Sequence, residues 1–219
     1  MAKLILFGSG DIAQLAKYYF DTDSDHEVVA FTVNQNYLKE DSFEGKPLIA
    51  FENIEKEYPP STFKMFIALS YANMNRIREQ KYNEAKAKGY ELVSYISSNC
   101  TYLSQFKAGE NCFILEDNTI QPFVKIGDNI TVWSGNHIGH HSTIDSHNFI
   151  SSHVVISGHC QIKSYSFLGV NSTIGHKVTI AEGTLLGAGV VITKDTVADG
   201  VYVPQKPTLL TKKSNEISL

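Results

Sequence analysis

Two regimes of hydrophobic patterning divide the chain. Between residues 3 and 97, apolar runs of strand length alternate with amphipathic stretches. Leu4-Ile5-Leu6-Phe7 reads as a buried strand, Asp11 to about Phe20 as a helix, and Glu27 to Val33 as a second strand. Phe63 to Leu69 and Leu92 to Ile96 give two more strands. A charged helical segment from Asn73 to Lys88 separates them, with Gly89 placed to close it as the C′ residue. Strands alternating with helices predict βαβ units around a parallel sheet, here a small Rossmann-like domain over residues 1–97.

From Ile114 the period becomes six. Isoleucine, valine or leucine stands at 114, 120, 126, 132, 138, 144, 150, 156, 162, 168, 174, 180, 186 and 192. Four residues after each comes a small, β-branched or Asn residue, such as Ser142, Val154, Cys160, Ser166, Ser172 and Val190. Neither a helical stripe nor strand alternation has this spacing. A chain that turns a corner every six residues does, with three flat faces making one coil and the aliphatic side chain filling the interior. If aliphatic residues fell at random with a probability of roughly 0.25, fourteen in register would occur about once in 10⁸ trials. The pattern predicts a left-handed parallel β-helix over residues 98–219, α/β followed by all-β. The repeats supply about 4.7 coils of 18 residues, and Ala108 with Cys112 adds a degenerate hexad that completes five.

Composition narrows the function. A formal net charge of −4 with 19% charged residues offers no basic face for nucleic acid. Cys100, Cys112 and Cys160 form neither a paired framework nor a C-x-x-C spacing, which fits reduced thiols. The apolar run at the N-terminus is too short for a signal peptide or a membrane span, so a cytoplasmic location is expected. Gly8-Ser9-Gly10-Asp11-Ile12-Ala13 follows a strand and opens a helix, the context of a dinucleotide loop. The second strand nevertheless ends in Asn34-Gln35-Asn36, without the acid that grips an NAD ribose, so redox chemistry is not expected.

The hexads, with Leu-Phe-Gly-Ser-Gly near the start, Ile138-Gly139-His140-His141, Leu168-Gly169-Val170-Asn171-Ser172 and Leu186-Gly187-Ala188-Gly189-Val190, resemble those of the hexapeptide-repeat acyltransferases. Across both domains the chain resembles the sugar acetyltransferases of bacterial glycan pathways, of the nucleotide-amino-sugar N-acetyltransferase and sialic-acid O-acetyltransferase types. The resemblance implies a homotrimer with acetyl-CoA between neighbouring subunits and a sugar nucleotide held between the N-terminal domain and the helix. It implies His140 as general base, with His141 or another histidine of the coil as the alternative, and Gly158, one coil of 18 residues further on, as the amide facing the acyl carbonyl. It also implies Gly169, Asn171, Gly187, Ala188 and Gly189 along the cofactor arm, and Gly8, Ser9, Gly10, Asp11 and Asn34 at the nucleotide.

The chain departs from the family at His141, where an acid usually follows the base; Asp145 and Glu116 are the carboxylates that could replace it. His141, His147, His153 and His159 share the fourth hexad position. They could line the outside, meet across a trimer axis or hold a metal, but consecutive hexads face different ways and no metal is expected. No serine or cysteine beside His140 forms an evident nucleophile arrangement, although Ser142 is two residues away, so direct transfer is expected. N-acetyl transfer to a nucleotide-linked amino sugar is the first reading and O-acetyl transfer to a sugar hydroxyl the alternative. A non-catalytic scaffold or a β-helical metal hydratase is a third. Val203-Pro204-Gln205-Lys206-Pro207 resembles the family's ending, and residues 212–216 read as a frayed tail.

Overall fold

A computed structural model describes residues 2–207, 209, 211 and 213; positions 212 and 214–216 of the expected tail lie outside them. Strands β1 (Ala2–Phe7), β2 (His26–Val33), β4 (Lys46–Ala50) and β5 (Phe63–Ile67) pair in parallel, in the order β4-β2-β1-β5. Strand β3 (Ser42–Phe43) turns back antiparallel to β4 through Glu44 and Gly45, both at positive φ, a hairpin absent from the sequence reading. Helices α1 (Asp11–Thr22) and α3 (Arg76–Ala87) accompany the sheet, with the short α2 (Ile54–Glu57) between β4 and β5. Gly89, at φ +90°, follows the Lys88 cap as expected. No described helix is long and apolar enough to cross a membrane.

The coil is a left-handed parallel β-helix. All fourteen aliphatic positions are buried, each as the second residue of a two-residue strand. Strands 18 residues apart pair in parallel, as His137↔Val155 and Ile138↔Ile156 do, forming three sheets of seven, six and four strands. We call these the first, second and third faces.

The fifth hexad position is small or Asn for a further reason. Its side-chain oxygen accepts an N–H from the next coil: Asn118 Oδ1 from Asn136 at 2.9 Å, Asn136 Oδ1 from Val154 at 2.6 Å, Ser142 Oγ from Cys160 at 3.0 Å. These bonds satisfy corner amides that would otherwise be buried without partners.

The fourth hexad position turns each corner in the left-handed region. Asn111, Asp117, Asn129, His141, His147, His153, His159 and Asn171 all have φ between 53° and 65°, and Gly135, Gly183 and Gly189 occupy the same place. Asn, Asp, His and Gly are the residues that adopt this conformation at least cost. The histidine stripe therefore suits a corner preference rather than a strict requirement, since Phe123, Tyr165 and Lys177 turn the same corner at φ 69°, 59° and 63°.

One strand departs from the expected boundary: Tyr95–Ile96, read as a strand of the sheet domain, instead pairs with Phe113–Ile114 on the first face. Thr101–Tyr102, on the expected coil side, pairs with Thr119–Ile120 on the second. Only Leu92 bridges to the sheet, at Met65. At the far end Val201–Tyr202 pairs with Leu185–Leu186.

The sheet unit covers the first face. Phe66 and Tyr19 meet Phe113, while Tyr71 lies 4.8 Å from both Phe149 and Phe167. The edge between third and first faces is clamped by Arg78 of α3, which donates to the corner carbonyls of Asn111 at 2.9 Å and Asn129 at 3.1 Å. Asn111 Oδ1 accepts the Ile67 N–H at 2.7 Å, tying β5 to the same corner.

Candidate active site

The edge between the second and third faces gathers histidines. Its third and fourth hexad positions on successive coils are Pro122 and Phe123, His140 and His141, Gly158 and His159, then His176 and Lys177. The fourth-position side chains form a column: the Phe123 ring lies 4.5 Å from His141, which stacks on His159 at 4.8 Å and 11°. His140 stands at 90° to His159 and has its Nδ1 3.0 Å from Nδ1 of His141.

His140 and Gly158 are side by side. A Cβ on Gly158 would lie 2.8 Å from both Cε1 and Nε2 of the His140 ring. Only a residue without a side chain fits under that imidazole. Among the described residues no acceptor takes the Gly158 N–H. The His140 backbone is fixed by Gln121 Oε1, which accepts its N–H at 2.8 Å, and by the His159 N–H, which donates to its carbonyl at 2.9 Å.

Neither carboxylate named as a replacement for the missing acid reaches this edge. Asp145 faces Lys163 at 3.5 Å, and Glu116 accepts from Tyr19 and Ser134 on the edge between first and second faces. The group that contacts His140 is His141. Ser142 is buried and donates to the Ser157 carbonyl at 3.0 Å, so it is no nucleophile.

The remaining histidines separate as the hexad geometry requires. His147 is on the edge between third and first faces, where Asn129 Nδ2 is 3.0 Å from its Nδ1 and Tyr165 stacks on it. His153 occupies the edge between first and second faces, against Gly135. His137 lies on the second face, and His176 follows His159 at 5.5 Å.

Gly169, Asn171, Gly187, Ala188 and Gly189 lie on the edge between first and second faces, away from His140 in the same chain. Gly169 has a reason of its own to be glycine, because a Cβ there would come within 2.5 Å of the Leu186 carbonyl oxygen. At Gly187 the nearest atom, the Tyr202 carbonyl oxygen, would be 3.3 Å away, which is tight but not prohibitive.

In the sheet unit a cavity of about 440 Å³ opens beyond the end of β1. Gly8, Ser9 and Asn34 line it, as expected of a nucleotide site; Gly10 and Asp11 begin α1 outside its wall. Gly8 has φ +133° and faces the Ala68 carbonyl so closely that a Cβ would sit 2.7 Å from the oxygen. Sequence reasoning missed Tyr37, Gln80 and Lys81 in the same wall. Asn34 Nδ2 donates to Glu52 at 3.0 Å, and the other oxygen of Glu52 accepts the Gln35 N–H at 2.9 Å. A carboxylate thus stands at the end of β2 after all, supplied from another segment.

The sheet unit covers the first face, whereas His140 lies on the edge where the other two faces meet. Cavity and imidazole are on opposite sides of one prism.

Residues 108–217 match the family model described as the GMPPB C-terminal domain, and the chain belongs to that family. No curated protein sequence matches it. Among solved structures it resembles the acetyltransferase domain of PglB from Neisseria gonorrhoeae FA1090, at 22% identity and a TM-score of 0.81, over 95% of this chain and 100% of that one. It resembles a mutant of perosamine N-acetyltransferase from Caulobacter crescentus, in complex with CoA and GDP-perosamine, at 18% identity and a TM-score of 0.82, over 93% and 94%. WeeI from Acinetobacter baumannii AYE has a TM-score of 0.78 at 18% identity, over 93% and 97%.

Proposed function

We propose that the chain is an acetyl-CoA-dependent N-acetyltransferase acting on a nucleotide-linked amino sugar of a bacterial glycan pathway, working as a cytoplasmic homotrimer. The sheet unit, residues 2–93, holds the sugar nucleotide and the coil that follows carries the acyl transfer. The observation that carries this reading is the imidazole of His140 lying over a bare glycine whose N–H is unclaimed. The PglB domain in complex with acetyl coenzyme A, and the perosamine enzyme in complex with CoA and GDP-perosamine, share the whole-chain fold and support the choice of donor and acceptor.

Amide formation needs a proton acceptor at the attacking amine, a donor at the carbonyl oxygen and two substrates held together. His140 Nε2 faces the Gly158 side of the edge and serves as the acceptor. Its Nδ1 then carries a hydrogen and donates to the lone pair of His141 Nδ1, which fixes the tautomer as a carboxylate otherwise would. The stack of Phe123, His141 and His159 holds the His141 ring in place. The Gly158 N–H steadies the charge that grows on the acyl oxygen as the amine adds. No protein nucleophile intervenes; as the carbonyl re-forms the thiolate leaves, and the proton that His140 took from the amine passes to it to give the free thiol.

One chain cannot bring its own cavity to its own His140, so the acceptor sugar reaches the imidazole of a neighbouring copy. The same packing brings the small-residue edge of Gly169, Gly187 and Ala188 from one copy towards the histidine edge of the next, which makes a groove for the donor arm.

The test is thiol release from acetyl-CoA mixed with a panel of nucleotide-linked sugars. Release is expected with an amino sugar, and His140→Ala should lower it by about 10²–10⁴-fold with melting unchanged. Release with hydroxyl-only sugars and none with amino sugars would move the reading to O-acetylation. Wild-type turnover in the variant would remove His140 from the chemistry.

A further inference from the structure

The histidine edge contains more imidazoles than proton transfer requires. His140, His141 and His159 are exposed, and one ring nitrogen from each lies within 4.8 Å of the other two. His140 and His141 approach at their Nδ1 atoms, 3.0 Å apart. That is close to the separation of two ligands on a tetrahedral centre with bonds of about 2.0–2.1 Å. The His141 and His159 rings are stacked at 11°, so closing the set requires the exposed His159 ring to turn out of that stack.

Corner geometry explains why His141 and His159 can be histidine, since both have left-handed φ. It does not explain His140, which is at the preceding position and outside that conformation. The other two edges do not repeat the arrangement. His147 is engaged by Asn129 and Tyr165, and His153 lies against Gly135, without a second imidazole.

The donor set selects the ion. It has three imidazoles and no carboxylate, which favours zinc, nickel or copper over magnesium or calcium. His176 lies 5.5 Å beyond His159, and Lys177 follows in the column with a positive charge that opposes any cation.

We propose that His140, His141 and His159 form a binding site for a zinc-class divalent transition metal. We further infer that metal occupancy and base action by His140 are alternative states of this edge. The first statement stands on the geometry alone; the second rests on the acetyltransferase reading.

The decisive measurement is calorimetric titration of Zn²⁺ into the full, untagged chain after dialysis against a chelator, with Co²⁺ absorption reporting the coordination. One metal per chain is expected. His159→Asn, which keeps a residue suited to left-handed φ, should weaken binding by about tenfold or more. His153→Asn, at φ +58° on another edge, should leave it unchanged. No saturable uptake, or equal affinity in the His159→Asn chain, would overturn the site.

In the thiol-release assay, Zn²⁺ should stop the wild-type enzyme and chelator should restore it, while His159→Asn should need at least about tenfold more metal. Full-rate transfer at saturating Zn²⁺ would refute the competition and leave the binding result standing. A chain that binds Zn²⁺ but transfers no acetyl group would refute the transferase reading, not the metal site.

Discussion

Replacing Arg78 with Ala should remove about 3–5 kcal/mol of stability and split denaturation into two transitions, the β-helix outlasting the sheet unit. Arg78 is 1% exposed, and its burial pulls the guanidinium down to about 10. It has no carboxylate partner in its hydrogen bonds: its donors go to the carbonyls of Asn111 and Asn129, with Nε 3.5 Å from that of Ile67. Truncation would leave corner carbonyls of the coil unpaired in a dry seam and open a cavity beside them. Arg78→Met fills most of that volume and also removes the cost of burying a charge, so its loss should be smaller than that of the Ala variant. Urea unfolding followed by Trp133 fluorescence and far-ultraviolet circular dichroism checks both; coincident wild-type-like transitions in the Ala variant would contradict the clamp.

A single methyl on Gly158 should do to catalysis what Arg78→Ala does to stability. Gly158 lies outside the positive-φ positions, so alanine meets no backbone strain there. Its Cβ would nevertheless sit 2.8 Å from His140 Nε2, and the ring would have to swing off the amide. Turnover in the Gly158→Ala enzyme should fall by about 10²–10³-fold at nearly wild-type melting temperature. Gly139 gives the contrast. A Cβ there would lie 2.5 Å from the Ser157 carbonyl carbon and 2.6 Å from the Gly158 nitrogen, both backbone, so Gly139→Ala should destabilise the coil itself. Measuring kcat and Tm for the pair separates the two roles. Equal losses of stability in both would mean that Gly158 is glycine only for the fold.

The coil was legible because each aliphatic position must fill the same interior, which repeats one chemical demand every six residues. Where that demand weakens, the reading fails. Ile96 continues the spacing upstream, but Tyr102 and Ala108 interrupt the aliphatic run between it and Ile114, so the rung at Tyr95–Ile96 reads as part of the sheet domain. At the other end Leu185 pairs with Val201, 16 residues away rather than 18, which takes the last rung out of the period. The left-handed corners have a signal in the Asn, Asp, His and Gly of the fourth position, but spacing alone leaves those residues open to an outward stripe, a trimer axis or a metal.

At the site, coil length sets Gly158 beside His140, while the choice of His140 among the coil's histidines comes from the family resemblance. The Nδ1 contact to His141 and the Glu52 carboxylate beside Asn34 depend on side-chain directions and on contacts between distant segments, which no spacing encodes. Arg78 was equally hidden: in a charged helix an arginine reads as a solvated residue, and only docking against two corners buries it.

Hybrid oligomers test the account most directly. Chains carrying His140→Ala keep the cavity, and chains carrying Gly8→Val, which blocks the close approach to Ala68, keep the base. Each alone should be nearly inactive. Co-expressed in equal amounts, they should recover about a quarter of the wild-type rate, because random assembly sets an intact cavity beside an intact imidazole at one interface in four. Hybrids as dead as their parents, from a wild type that is active, would mean that each chain works with its own cavity and its own histidine, and the shared site would be wrong.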